Sequence, residues 1–240
     1  YYLSSVEEQH ISDILKFLQK FNIVNRISSQ GHQNQFCSPA FLVPRSDPQK
    51  SMRLVIDYKS LNSISEQVAI SLPDMQQVLS SLSRGRIYTS VDFVSAFFSI
   101  TLHPDSRYLT RFMAGHSIYE FSRLPMGTAS SPEIWWRYVN LMINYKTHND
   151  EEGNLIYEKD GRVKLTYDPL DTVVIYYDDV ILCTPLKDSI QESIDHHFEL
   201  VDKFLNRLAT HKAKISWSKS AWGVFGIDFV GWRLENGLMY

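Results

Sequence analysis

Residues 173–183 read VVIYYDDVILC, so two adjacent carboxylates, Asp178 and Asp179, interrupt a run that is otherwise apolar and β-forming. An ionised carboxylate in an apolar strand costs free energy unless something compensates it. Side chains alternate along a strand, so two consecutive acids cannot share one of its faces. At a tight hairpin bend both can approach the same space, with VVIYY and VILC as the two arms. A third acid, Asp92, has the same setting within IYTSVDFVSAFFSI (87–100). Three carboxylates converging from such strands repel one another, and a divalent cation removes that penalty. Mg²⁺ takes hard oxygen ligands, typically one or two carboxylates with substrate phosphates. Two such ions, about 3.5–4 Å apart, clamp the attacking and leaving oxygens of an in-line phosphoryl displacement. On these strands alone, a metal site and the blander alternative of two turn acids plus an unrelated salt-bridged aspartate stand about level.

The elements that must hold these acids can be read from periodicity and turn residues. Ile11, Ile14, Leu15 and Leu18 space a helix over residues 5–21, with Ser5 and Glu8 as its capping box. AFLVPR and MRLVIDY are strands joined by the turn-rich SDPQK, and RIYTSVDF (86–93) is another strand. A short helix starts at Pro73. A second starts at Ser130–Ser131–Pro132 and carries Ile134, Trp135, Tyr138, Val139 and Met142 on one side. A long helix spans about Ser189 to Leu208, with Ile190, Ile194, Val201, Phe204, Leu205 and Leu208 on its inner face. The acidic stretch 145–172 suggests a surface hairpin about Asp160–Gly161, and the chain closes in short strands with an Asn236–Gly237 turn. Strands alternating with helices and ending in hairpins indicate an α+β architecture around a small sheet.

Composition narrows the classes. The chain has 240 residues and a net charge of −3, so it carries no global basic excess of the kind that marks many nucleic-acid binders. Its bases are instead local. Lys203, Arg207, Lys212, Lys214 and Lys219 fall in a stretch without an acid, which reads as a solvated face or, less commonly, a phosphate contact. No apolar run approaches the roughly 20 residues of a membrane span, and no signal-peptide pattern opens the chain. Two cysteines, Cys37 and Cys183, are too few for a disulfide framework; read as reduced, they suit an intracellular compartment. The pair His196–His197 has no metal-ligand spacing and reads as surface helix. The chain opens without Met, as expected of a piece cut from something larger.

Five stretches, in order, resemble the reverse transcriptase domain of long-terminal-repeat retrotransposons and retroviruses, nearest to the gypsy type. SPAFLVPRSDPQKSMRLVIDYKSLN is similar to the family's SPxxLVxKKDGxxRxxVDYRxLN, and SVDFVSAFFSI to LDLxSGYxQI. FSRLPMGTASSPEIWWRYVN resembles FxxLPFGLxxAPxxFQxxMN, YYDD matches YxDD, and FVGWRL resembles the primer-grip turn. Each is weak alone; the order and rough spacing make the set specific. The resemblance covers about residues 3–240 and shifts the balance strongly to the metal site.

The resemblance implies a right-hand polymerase fold: a palm, with a ferredoxin-like antiparallel sheet plus helices, and fingers, the thumb absent or truncated. Fingers would span 1–66 and 100–130, and palm 67–99 and 131–240. Asp92, Asp178 and Asp179 would be the catalytic carboxylates and metal ligands, assisted by the Phe93 backbone carbonyl, for two Mg²⁺, with Mn²⁺ as a substitute. Deoxynucleotide contacts would come from Arg45, Arg53, Ser95, Ala96, Phe97 and Met126, with Phe97 as a steric gate against a 2′-hydroxyl. Lys59, Pro125, Gly127, Tyr177, Val230, Gly231 and Trp232 would lie along template and primer, and Lys219 would be the general acid for pyrophosphate. Partners would be RNA and DNA template-primer and dNTPs, with no membrane, and RNase H and integrase domains in the same polyprotein. The setting would be cytoplasmic, within virus-like particles. Three departures stand out: Tyr177 is bulkier than the usual aliphatic or Met, Met126 replaces Phe or Gln, and 145–172 is longer than the family's link. A catalytically weak or domesticated reverse-transcriptase-like subunit that only binds nucleic acid is the alternative reading.

Overall fold

Two overlapping S-x-x-E patterns open the chain, and the fold uses the earlier one. Ser4, not Ser5, caps the first helix: the Glu7 N–H donates to Ser4 Oγ, and Glu7 accepts from the Ser4 N–H at 2.8 Å. Both registers satisfy the local pattern, so only the folded chain distinguishes them. The computed structural model describes residues 4–27, 36–45, 52–66, 74–170, 172–176 and 179–240.

The elements begin with α1 (Ser5–Lys20), β1 (Val24–Ile27), β2 (Ser38–Val43), β3 (Arg53–Ile56), α2 (Lys59–Ile64), α3 (Met75–Leu82) and β4 (Gly85–Val91). Next come β5 (Phe112–Ala114), β6 (Ser117–Phe121), α4 (Ser131–Asn144), β7 (Tyr145–Thr147) and β8 (Leu165–Tyr167). The chain continues through β9 (Val173–Tyr176), β10 (Asp179–Pro185) and α5 (Ile190–Thr210). It ends in β11 (Ala221–Val224), β12 (Gly226–Phe229), β13 (Trp232–Glu235) and β14 (Leu238–Met239). Two compact units result, one from residues 1–69 and 95–133, the other from 70–94 and 134–240.

The first unit is a five-stranded sheet in the order β1-β6-β5-β2-β3, mostly antiparallel. Helix α1 lays Ile11 and Leu15 on a core completed by Val24, Ile56, Phe112 and Phe121. The second unit is built on the four-stranded sheet β11-β4-β10-β9. One face of it, carrying Tyr88, Ile181 and Cys183, packs on α3 and on the β12–β13 hairpin through Leu82, Ile227, Phe229 and Leu234. Because strand side chains alternate, Ile87, Thr89, Leu182 and Thr184 point to the other face, which α5 covers.

Helix α5 corrects two sequence expectations. Its buried stripe is Ser193, His197, Leu200, Phe204 and Leu208, whereas Ile190 is 50% exposed. His197 is therefore not a surface residue but 3% exposed. Its Nε2 lies 2.8 Å from Thr89 Oγ1 and its Nδ1 2.8 Å from Thr184 Oγ1, so two sheet hydroxyls satisfy the ring and make its burial tolerable. In α4, Trp135, Val139, Met142 and Ile143 are buried, and Ile134 is 37% exposed rather than inward.

Burial pushes the His197 pKa down to about 4. A folded pKa below the unfolded value of about 6.5 means that stability is fully present above the unfolded value and lost as pH falls toward the folded one. We expect about 3 kcal/mol to be lost between pH 7 and pH 4 from this residue. Urea unfolding of wild type and His197→Asn across that range checks it: the extra acid sensitivity should be present only in the wild type.

Candidate active site

The acids at the bend sit where two ladders meet. β9 and β10 form a hairpin whose terminal pair is Tyr176↔Asp179, and β10 runs antiparallel to β4 with Val180 opposite Val91. Continuing that register by one residue sets Asp92 across from Asp179. Directly opposed residues of an antiparallel pair have Cβ atoms about 4.5–5.5 Å apart on one face. By alternation it is the face that carries Tyr88 and Ile181, opposite to α5. Asp92 and Asp179, 87 residues apart in the chain, thus meet at one strand end. Tyr177 and Asp178 lie outside the described residues.

Asp92 is held by its backbone. Its N–H donates to Ser220 Oγ at 3.1 Å, that hydroxyl donates to the Ser216 carbonyl at 2.7 Å, and the Ser216 N–H donates to the Asp92 carbonyl at 2.8 Å. Phe93 bridges to Ile215, the Val94 N–H donates to the Lys214 carbonyl, and the Phe93 ring meets Trp135 edge-on at 5.2 Å. The Asp92 carboxylate itself stays 43% exposed, with Lys219 Nζ at 4.0 Å. The sequence resemblance offered Lys219 as a general acid but gave no sign of its approach to Asp92. It also missed Ser216 and Ser220, whose work is done on main-chain atoms and leaves no residue-type signature.

A hard cation suits this donor set. Among the described residues the Asp92 side chain is committed to no buried ion pair, and the cation beside it is a largely exposed lysine. Among the described residues no three His, Cys, Asp or Glu side chains gather as a metal cluster, but Asp178 is not among them.

The other sequence-assigned residues fall as follows. In the first unit, Arg53 opens β3 at the sheet edge, exposed, and Arg45 and Lys59 are exposed as well. Ser95 adopts φ 50°, ψ 44° and starts the 3₁₀ turn Ala96–Ser99. Phe98 anchors that turn by stacking on Phe121 at 6.2 Å, which leaves Phe97 half-buried. Pro125 is buried, whereas Met126 and Gly127 are exposed, Met126 by 51%. Asn62 braces this turn from both sides: its amide donates to the Gly127 carbonyl and its carbonyl accepts from the Ala129 N–H. It stands in the matched DYKSLN stretch, the signal that could have singled it out. Gly127 has φ 95°, a conformation open to glycine at little cost.

In the second unit, Val230 and Gly231 form the two-residue link between β12 and β13, with φ 46° and 83°. Both positive values match the type I′ turn that suits strand twist. A β-branched residue there is a strained choice, and strain of that kind collects at functional sites. Val230 and Trp232 are 48% and 41% exposed.

Comparison with known proteins follows the same lines. The reverse transcriptase (RNA-dependent DNA polymerase) family profile matches residues 43–234. A retrovirus-related Pol polyprotein from transposon opus of Drosophila melanogaster is 25% identical over 81% of this chain, which is 17% of its own length. A foamy viral protease-reverse transcriptase in complex with double-stranded DNA superimposes with a TM-score of 0.74 at 18% identity, over all of this chain and 36% of that one. A second structure of such a protein, with an RNA/DNA hybrid, gives 0.71 at 19% identity over 98% of this chain and 27% of that one. This chain thus spans well under half the length of the proteins it matches. The α+β fold is the palm-and-fingers arrangement of polymerases, and reverse transcriptases as a family use divalent metal ions. With four-fifths of its length inside that profile, the chain belongs to the reverse transcriptase (RNA-dependent DNA polymerase) family.

Proposed function

We propose that this chain is the polymerase part of a Pol polyprotein, extending a primer 3′-hydroxyl with deoxynucleoside triphosphates on RNA and DNA templates. The observation that carries the reading is the register of β4 and β10, which sets Asp92 across from Asp179 at the end of the hairpin bearing YYDD. In this reading the first unit is the fingers and the second the palm. Asp92 and Asp178, with the Phe93 carbonyl and with Asp179 as a weaker ligand, hold Mg²⁺. When bound, the metal supplies charge neutralisation and a more acidic primer hydroxyl.

The primer hydroxyl releases its proton to solvent, and its oxygen attacks the α-phosphorus. The bond from that phosphorus to the bridging oxygen breaks, and pyrophosphate leaves. Lys219, beside Asp92, donates the proton that pyrophosphate takes up. Arg53 pairs with triphosphate oxygens, for which a guanidinium offers two parallel donors. Arg45 has a similar task, and the Ser95 and Ala96 backbone N–H groups face phosphate. Pro125, Met126 and Gly127 lie against nucleotide and template. Lys59, Tyr177, Val230, Gly231 and Trp232 steer template and primer. The protein's share of catalysis is positioning and electrostatics.

The test is primer extension by the purified protein on RNA and on DNA templates, with Mg²⁺ and then Mn²⁺. Extension that EDTA abolishes is the expected result. No extension on either template with either metal, despite duplex binding, would identify a nucleic-acid-binding subunit instead.

A further inference from the structure

The stretch 145–172, longer than the family's link, builds more than a surface hairpin. β7 and β8 pair through Tyr145↔Tyr167 and Thr147↔Leu165, and turns at 150–153 and 158–161 lie beyond them. The root of this hairpin faces one stripe of α5, and between them lies a cavity of about 760 Å³. Its α5 wall carries His196, Leu200, Lys203 and Arg207, spaced four, three and four residues apart and so on one side of the helix. Across from them are Tyr145, Lys146, Asp168 and Leu170.

The charge of this wall is unlike that of the chain. Among the described residues that line it, three cations face one carboxylate, in a protein whose net charge is −3. Asp168 Oδ2 takes both Lys146 at 2.6 Å and Arg207 at 2.8 Å, and the Lys146 hydrogen bond leads in holding its carboxyl below the usual range. Arg207 also donates to the Ile143 carbonyl, so the guanidinium is fixed in place by α4 and by the hairpin root. Lys203 has no carboxylate partner among the described residues and is left to face the cavity.

Positive charge in excess of its counter-ions, on a pre-positioned helix face, is the chemistry that recognises phosphate. The volume exceeds what a bare phosphate needs and falls within the range of small-molecule sites, which combine apolar walls with a few placed polar groups. We propose that this cavity binds a small phosphorylated molecule of nucleotide size, its phosphates on Lys203, Arg207 and Lys146 and its organic part against Leu170, Leu200 and Tyr145. The cavity lies on the α5 side of the sheet, whereas Asp92 and Asp179 belong to the other face, so this is a second site and not an extension of the first.

Calorimetric titration of the whole protein with ATP tests it. EDTA is kept present, so that metal-dependent nucleotide binding at the carboxylates is absent. The expected result is saturable binding of ATP and of inorganic tripolyphosphate, with adenosine binding at least tenfold more weakly. Lys203→Ala, an exposed position whose loss leaves the Arg207–Asp168 brace untouched, should weaken ATP by tenfold or more, and Lys203→Arg should restore it. No saturable ATP binding, binding unchanged in Lys203→Ala, or adenosine binding as tightly as ATP would each overturn the proposal.

Discussion

Asp92→Asn should abolish primer extension, by about 10³-fold or more, the scale of removing a principal electrostatic stabiliser of a transition state. It should also leave the melting temperature within about 2 °C of wild type, because the carboxylate does little for the fold. The structural bonds of residue 92 run through its N–H and carbonyl, to Ser220 and Ser216, and asparagine keeps both. Among the described residues the ion-pair partner of the Asp92 side chain is Lys219 at 4.0 Å, with both side chains well exposed. Pairs of that kind are worth about 0–1 kcal/mol. Loss of rate with loss of stability would point to a structural role, and extension within tenfold of wild type would remove Asp92 from the reaction. The same catalytic loss is expected of Asp178→Asn. Single-turnover extension beside thermal unfolding measures both quantities.

What could be read from sequence, and what could not, divides along physical lines. The bend between VVIYY and VILC was legible because adjacent acids in an apolar run have few places to go. The register that follows, Val180 against Val91 and, continued by one residue, Asp179 towards Asp92, needs no further signal once β4 and β10 pair. Asn236–Gly237 was equally legible, since a two-residue turn with φ 55° and 74° draws on a short menu of residues. The buried face of α5 was misread because an apolar pattern counts only apolar residues. Ser193 and His197 occupy the stripe instead, and what permits them is a set of partners on other elements: the Lys187 backbone, Thr89 and Thr184. The grip of Asn62 on Gly127 and Ala129 escaped for a similar reason. It spans more than sixty residues of chain and serves main-chain atoms, which any sequence supplies.

Replacing Phe97 with Ala should raise ribonucleotide incorporation relative to deoxynucleotide by about 10- to 100-fold. Forcing an extra atom into a filled space costs about 1–3 kcal/mol, which converts to discrimination of that size. The local structure favours a rigid gate. Ser95 turns the chain through a left-handed conformation, Ser99 Oγ closes the turn on the Ala96 carbonyl at 2.6 Å, and Phe98 is locked onto Phe121. A ring carried on such a turn has little room to retreat from a 2′-hydroxyl. Phe97→Val should give an intermediate ratio. The contrasting substitution, Phe98→Ala, removes a core contact and should cost stability rather than selectivity. Steady-state kcat/KM for matched ribo- and deoxynucleotides reads the ratio directly. A Phe97→Ala protein that still discriminates like wild type would show that the sugar is read elsewhere.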